Sequence, residues 1–284
     1  MANYQNKEEL SQLTLGKATE YVSEYNPKLL QAVPRSLNRD DLNLSEGALP
    51  FTGEDVWYGY ELSWLNAKGK PIVAVAEFRF PCTSPNIVES KSFKLYLNSF
   101  NQTRFSSTEE VINRLNKDLS YIAQSQATVE LYDVEDCPAL VIAKKNEKII
   151  CIDDQDISID SYQYNPNLLH STCTTNKPIE QQLVSHILKS NCLITNQPDW
   201  ASVYIHYKGQ AINHEGLLKY IISFREHNEF HEQCVERIFM DLMQHCELEE
   251  LTVFARYTRR GGLDINPFRS THLAKAPLAR TLRQ

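Results

Sequence analysis

Two stretches of this chain run through the same order of hydrophobic patterns, and any fold has to accommodate both. In the first, Val56 to Pro81 alternates as a strand, turns at Asn66-Ala67-Lys68-Gly69-Lys70 and returns along Ile72 to Phe80, the pattern of a hairpin closed by a glycine-containing loop. On its outgoing strand Tyr58, Tyr60, Leu62 and Trp64 read as the apolar face, with Trp57, Gly59, Glu61 and Ser63 opposite. A dense segment from Val88 to Phe100 follows. Ser107-Thr108-Glu109-Glu110 then supplies a capped start for a helix with Val111, Ile112, Leu115 and Leu119 on its apolar side. In the second stretch Val184 to Ile194 is one apolar run, Ala201 to Tyr207 alternates, and Leu217 to Phe224 precedes a polar loop and a helix from His231 to Cys246. One constant shift lays Glu109, Arg114, Asp118 and Leu119 on Glu232, Arg237, Asp241 and Leu242, and a shift one residue longer lays Tyr96 and Ser99-Phe100 on Tyr220 and Ser223-Phe224. The shared order implies an internal duplication of an α+β module.

A length of 284 residues suits two such units. The joining region has strand-like pieces from Ile152 to Tyr164 and then turn-rich Asn165-Pro166-Asn167 and Thr174-Thr175-Asn176-Lys177-Pro178, which places the division at 1–165 and 166–284. Ahead of the first hairpin, Glu8 to Leu15 reads as a helical turn or two, and Asn26 to Ser45 as a lead-in broken by prolines and polar residues. Seven cysteines without CxxC spacing argue against a disulfide framework and a zinc knuckle, and for reduced thiols. No apolar stretch approaches the ~20 residues that cross a bilayer, and the N-terminus has no signal pattern, so a cytoplasmic protein without a membrane partner is expected. A net charge of -7 opposes general attraction to nucleic acid. No GxGxxG follows a strand, which argues against a Rossmann dinucleotide site, so a nicotinamide cofactor would need another kind of pocket.

The residues that carry chemistry fall into separated groups. Cys192 ends the apolar run, and Asp199 follows in the polar loop Asn196-Gln197-Pro198-Asp199-Trp200. A thiol near a carboxylate in the fold attacks an electrophilic carbon while the acid moves the proton, although a lone cysteine in an apolar run is more often a small buried hydrophobe. Glu89-Ser90-Lys91-Ser92-Phe93-Lys94-Leu95-Tyr96 crowds a carboxylate, hydroxyls and ammonium groups around aromatic anchors. Phe224 to Glu232 is rich in donors and acceptors between two phenylalanines. Arg259-Arg260-Gly261-Gly262 offers guanidinium groups and backbone freedom suited to phosphate, and with Arg256 it reads otherwise as surface charge.

These strings together resemble the long, two-module form of the NADPH-dependent 7-cyano-7-deazaguanine reductases, the nitrile reductases of queuosine biosynthesis in tRNA modification. The hallmark Glu-Ser-Lys-Ser-aromatic-Lys-Leu-Tyr stands intact at Glu89 to Tyr96, and Cys192, Asp199 and Phe230-His231-Glu232 match the catalytic and substrate-pocket residues. The resemblance implies an α+β fold of two tandem tunnelling-fold (T-fold) modules, antiparallel sheets backed by helices, similar to GTP cyclohydrolase I. It implies a site at the boundary between modules, with Cys192 as nucleophile, Asp199 as proton donor and His231 assisting. It places Val88, Glu89, Ser90, Phe230, His231 and Glu232 at the substrate, and Ser90, Lys91, Arg260 and Gly261 at NADPH. Two NADPH are consumed per turnover, because converting a nitrile to an amine takes four electrons. No resident metal, no direct nucleic-acid partner and a homodimer are expected. Two rivals remain open: a zinc cyclohydrolase on the same fold, using Cys192 and His231 with Cys234 or His227, and a non-catalytic tRNA- or nucleotide-binding protein.

Overall fold

The computed structural model describes residues 21–45, 47–138, 142, 146–172 and 177–284. The helical pattern at Glu8 to Leu15, Cys173 and the Thr174-Thr175-Asn176 turn lie outside the described residues.

The two hairpins form as the alternation predicts. Strands β2 (Thr52–Leu65) and β3 (Pro71–Pro81) meet at a turn where Asn66 Oδ1 accepts the amides of Lys68 (2.9 Å) and Lys70 (3.0 Å) and Gly69 takes a left-handed φ of 83°. Strands β7 (Ile179–Asn191) and β8 (Pro198–Gly209) form the second hairpin. Each breaks register once on its outgoing strand, between Gly59 and Leu62 and between Ser185 and Leu188. The first bulge corrects the face assignment made from strict alternation. An extra residue flips the side-chain phase, so Trp57 shares its core with Leu62 and Trp64, while Tyr58 and Tyr60 pack on the opposite face.

The remaining strands are β1 (Ala32–Pro34), β4 (Asn86–Val88), β5 (Thr128–Tyr132), β6 (Ile149–Cys151), β9 (Leu248–Tyr257) and β10 (Leu263–Ser270). Eight of these strands make one sheet in the order β5-β3-β2-β10-β9-β8-β7-β6, antiparallel throughout except at β6 and β7, and β1 pairs with β4 apart from it. Residues Ile152 to Tyr164 contain no strand, because the pairing ends at Cys151. β10 inserts between the hairpins and approaches β2 closely enough that a Cβ on Gly53 would lie 2.0 Å from the Phe268 carbonyl oxygen.

The helices are α1 (Ser36–Arg39), α2 (Ser90–Asn98), α3 (Thr108–Ala123), α4 (His214–Ser223) and α5 (His231–His245). Ser107 caps α3 by accepting the amide of Glu110 at 3.2 Å, as its sequence predicts, and Val111, Leu115 and Leu119 are fully buried. One core gathers α2, α3, β2, β3 and β5 with Leu263 and Ile265 of β10. A second gathers α4, α5 and β7 to β9 with Phe51 and Cys82 from the first half.

The duplication extends to side chains. Asp118 on α3 accepts from Tyr25 and from Tyr96 (2.8 Å), and Asp241 on α5 accepts from Tyr164 (2.7 Å) and from Tyr220. Ser99 and Ser223 each donate to the carbonyl three residues earlier, at Tyr96 (2.6 Å) and Tyr220 (2.7 Å), and each accepts the amide of an asparagine, Asn26 or Asn165. Those asparagines open matching turns of 3₁₀ helix at Pro27–Leu29 and Pro166–Leu168, within a repeated Tyr-Asn-Pro-x-Leu-Leu string at Tyr25 to Leu30 and Tyr164 to Leu169.

The segment expected to be a lead-in is instead structural. Arg35 and Arg39 are buried with Arg269 against Asp55 and Glu236. Arg39 Nε and Nη2 reach the Glu236 carboxylate at 3.0 and 2.8 Å, Arg269 Nη2 reaches it at 2.8 Å and Arg269 Nη1 reaches Asp55 at 2.8 Å, while Arg35 pairs with Asp55. Burial opposes ionisation of both acids, but the guanidinium groups outweigh it and hold their carboxyls below the usual range. Glu236→Gln should therefore destabilise the protein by about 3–5 kcal/mol, since it strands buried guanidinium charge. Urea denaturation checks this, and a loss within error of zero would show that the network relaxes at no cost.

Candidate active site

The turn between β7 and β8 carries Cys192. Its amide donates to the Gln197 carbonyl (2.8 Å) and its carbonyl accepts from Asn196 (3.1 Å), with Asn196 in a left-handed φ of 55° that asparagine tolerates. Asn228 holds the turn from the far side through the Asn196 side chain and the Cys192 carbonyl (3.4 Å). Backbone bonds from Asn191 N to His227 O (2.8 Å) and from Glu229 N to Asn191 O (3.0 Å) lace it to the loop that leads into α5. Thus the thiol turn and the start of α5 are one unit, and His231 and Glu232 enter the site as the first residues of that helix.

A cavity of about 670 Å³ opens there, a volume suited to a small-molecule site. Cys192, Asp199, Phe230, His231 and Glu232 line one side. Ile87 and Val88 of β4 with Ser90, Lys91 and Lys94 of α2 line another, and Thr258, Arg260 and Gly261 come from the β9–β10 turn. The floor is Trp57 of β2 with Leu263 and Ile265 of β10. Both halves of the chain therefore face the same space.

Its electrostatics are uneven. Asp199 is 3% exposed, accepts a hydrogen bond from Arg260 and lies 3.6 Å from His231 Nε2. Burial pushes its carboxyl up, but His231 and Arg260 outweigh that and hold it below the usual carboxylate range. The His231 ring sits edge-on to Tyr257, with centroids 4.1 Å apart. Glu232 is 1% exposed and its Oε1 has no hydrogen-bond partner. Burial, with Asp55 nearby, pushes its carboxyl up to about 7 against the pull of His231 and Arg35. Glu229 is buried between Arg237 (2.8 Å) and His227 (3.0 Å); burial raises its carboxyl, but these two partners bring it down to about 2.

The family model described as nitrile reductase, 7-cyano-7-deazaguanine-reductase N-term, matches residues 21–131, and the QueF-like protein model matches residues 198–276. The NADPH-dependent 7-cyano-7-deazaguanine reductase of Colwellia psychrerythraea is 72% identical over 286 residues, covering 100% of both chains. The chain belongs to the 7-cyano-7-deazaguanine reductase family. A solved structure, archaeosine synthase QueF-Like in the apo form, covers 37% of this chain and 100% of its own at 14% identity and a TM-score of 0.30. As a member of this reductase family the chain has the expected α+β fold of two tandem T-fold modules.

Ten residues singled out in the sequence converge on the cavity: Val88, Ser90, Lys91, Cys192, Asp199, Phe230, His231, Glu232, Arg260 and Gly261. Glu89 does not line it. Both its carboxylate oxygens cap α2, accepting the amides of Lys91 and Ser92 at 2.8 Å, and burial raises its carboxyl against those two bonds. Trp200 is likewise outside the lining, under the Arg225 guanidinium at 5.6 Å from its ring centroid. The basic string divides as well. Arg256 is buried over the Phe254 ring, Arg259 lies over the Tyr60 ring, and only Arg260 of the three lines the cavity.

Among the described residues no three His, Cys, Asp or Glu side chains form a metal-ligand group, and the rival's Cys234 is fully buried, where desolvation pushes its thiol well up. Sequence reasoning missed Trp57, whose buried Nε1 has no partner, because strict alternation put it on the polar face. Thr195, Gln197 and Thr258 had no signal beyond lying near motif residues.

Glu232 makes the stability of the fold pH-dependent. Its folded-state value lies above that of an unfolded glutamate, so its contribution is fully present below about 4.5 and is lost as pH rises through about 7. Denaturant titrations should show the Glu232→Gln variant free of that decline and more stable than the parent above pH 7 by up to about 3 kcal/mol. Parallel pH profiles for the two proteins would remove Glu232 as the cause.

Proposed function

We propose that this chain reduces the nitrile of 7-cyano-7-deazaguanine to the primary amine 7-aminomethyl-7-deazaguanine, through a covalent thioimide on Cys192, with two NADPH consumed per turnover. The observation that carries this reading is that Cys192 and Asp199 share one cavity with Ser90, Lys91 and Arg260, so thiol, carboxylate and cation-rich rim face a common ligand space.

The cavity residues fit both ligands. Glu232 offers an unpartnered buried acceptor and Trp57 an unpartnered buried indole N–H, which suit the ring donors and carbonyl of a flat deazaguanine, with Phe230 as an apolar wall. Lys91 and Lys94 face Arg260 across Gly261, where a Cβ would lie 2.9 Å from Lys94, so the rim forms a cradle that a side chain would fill. Cations in such a cradle hold phosphate, including the extra ribose phosphate of NADPH. NADPH, when bound, supplies hydride to carbon.

The chain's own residues handle the protons and the sulfur. Asp199, held as a carboxylate, takes the thiol proton as the Cys192 sulfur bonds to the nitrile carbon. One C–N π bond breaks, and Asp199 returns the proton to nitrogen, which gives the thioimide. After hydride has reached carbon the C–S bond breaks, Cys192 leaves as the thiolate and an imine stays in the cavity. The second reduction gives the amine, with His231 beside Asp199 assisting proton delivery to nitrogen. Glu89 orders α2 by capping it and so positions Ser90 and Lys91.

The remaining parts of the reading are a division at 1–165 and 166–284, a homodimer, a cytoplasmic location and queuosine biosynthesis as the pathway. A small-molecule ligand rather than nucleic acid is supported by the net charge of -7. Among the described residues no helix is long and apolar enough to cross a membrane.

Intact-protein mass spectrometry after mixing with 7-cyano-7-deazaguanine in the absence of NADPH should show one added substrate mass on the Cys192 peptide, and none in Cys192→Ala. An unmodified parent would overturn the covalent route. Asp199→Asn should slow reduction by about 100-fold or more, the contribution of a positioned acid–base group. Steady-state kinetics at parental rates would dismiss that role. For Lys91→Ala, a rise in KM for NADPH with little change in kcat is expected, and an unchanged KM would return Lys91 to ordinary surface charge.

A further inference from the structure

We propose that Arg260 is shared between Asp199 and the cofactor: phosphate arriving at the cavity rim draws the guanidinium off Asp199 and tightens that carboxyl's hold on the proton it carries. The inference rests on the reading of the cavity as a nitrile-reducing site, and adds to it a coupling between cofactor arrival and the proton affinity of Asp199.

The geometry carries it. The ion pair straddles the rim, with the Asp199 side chain 2% exposed and that of Arg260 38% exposed. Arg260 donates through Nη1 to Asp199 and through Nη2 to the Gln197 side-chain oxygen at 3.0 Å, so the guanidinium divides its donors between two acceptors instead of forking onto one anion. Its backbone is fixed by reciprocal bonds with Leu263 (2.9 and 3.1 Å) around Gly261 and Gly262, both left-handed at φ 59° and 79°. The long side chain can therefore swing on a stationary stem. Lys91 and Lys94 line the same space, which makes the rim the place where a polyanion settles. A phosphate offers Arg260 the bidentate contact that Asp199 and Gln197 do not.

Loss of Arg260 would leave Asp199 with His231 of α5 at 3.6 Å, with Lys189 of β7 acting on it at longer range, and with Cys234 and Tyr257 in the buried wall behind. Its proton affinity rises, because one of the two groups holding its carboxyl low has departed. With Arg260 engaged, Asp199 is ionised and open to the Cys192 proton. With Arg260 on phosphate, it holds a proton more firmly until nitrogen takes it.

Linkage makes the idea testable without turnover, because a contact that competes with the cofactor must weaken cofactor binding. Isothermal titration of the full chain with NADP⁺, which cannot donate hydride, should show Asp199→Asn binding roughly 5-fold more tightly or better than the parent. In an Arg260→Gln background the same substitution should change affinity less than about twofold. Equal effects in both backgrounds, or no tightening, would overturn the proposal. A second measurement needs no variant. The low-pH limb of Cys192 adduct formation by the parent with 7-cyano-7-deazaguanine should move up by about one unit when NADP⁺ is added, and an unmoved limb would overturn it. Failure of the parent to bind NADP⁺ or form the adduct sinks the functional reading as well, whereas binding and adduct without linkage sink the sharing of Arg260 alone.

Discussion

The cluster of Arg35, Arg39 and Arg269 around Asp55 and Glu236 is the interaction on which the rest of this structure depends. It joins α1 and β2 of the first half to α5 and β10 of the second, in a place with almost no solvent. Three guanidinium groups face two carboxylates, and the excess positive charge lies one helical turn from Glu232. Such a network adds little net stability over an apolar core of equal volume, yet it tolerates no missing member. Its value is geometric. It fixes α5 against β2 and β10, and α5 is the helix whose first turn delivers His231 and Glu232 into the cavity.

The same logic of burial with selective compensation separates the two acids of the site. Asp199 and Glu232 are both sealed from solvent, but Asp199 has Arg260 and His231 against its carboxylate, whereas Glu232 Oε1 has no hydrogen-bond partner. One is thereby held ionised, and the other is brought near neutrality in pH. Two carboxyls whose proton affinities are pushed apart suit two jobs, proton transfer at sulfur and nitrogen for one, and recognition of a ligand's donors for the other. Glu229, a third buried acid in the lining, is committed to Arg237 and His227 and serves the wall.

Much of this was legible in the chain. Hairpins, the capped α3 and the duplicated helix pattern follow from periodicity, and the site strings followed from resemblance. The errors have physical causes. Face assignment along β2 failed because a bulge reverses the phase of alternation after Gly59. Asn26 to Ser45 read as a lead-in because Arg35 and Arg39 look like surface charges until Glu236, some two hundred positions away, is seen beside them. That the Glu89 carboxylate caps α2 was also not legible, because glutamate is not a favoured residue at that position. By contrast, the repeated Tyr-Asn-Pro-x-Leu-Leu was available in the sequence and locates the duplication better than the helix match alone.

The duplication also explains why the site lies between the halves. Both copies keep the tyrosine–aspartate anchors that hold their helices, so the frame is common. Their functional ends have diverged. Where the second hairpin turns through Cys192, the first turns through Asn66 to Lys70, a tight loop held by its own asparagine and glycine and by Arg104, which donates to the Ala67 carbonyl. Where α2 starts at Glu89 with Ser90 and Lys91 facing the cavity, α4 starts at Asn213 with an ordinary cap on Gly216 and no cavity residue. Each copy has thus retained one half of a binding surface and lost the other. A cavity carrying both the thiol and the cationic wall can then exist only where the second copy's hairpin turn meets the first copy's α2, and β10, inserted between the hairpins, sets that meeting.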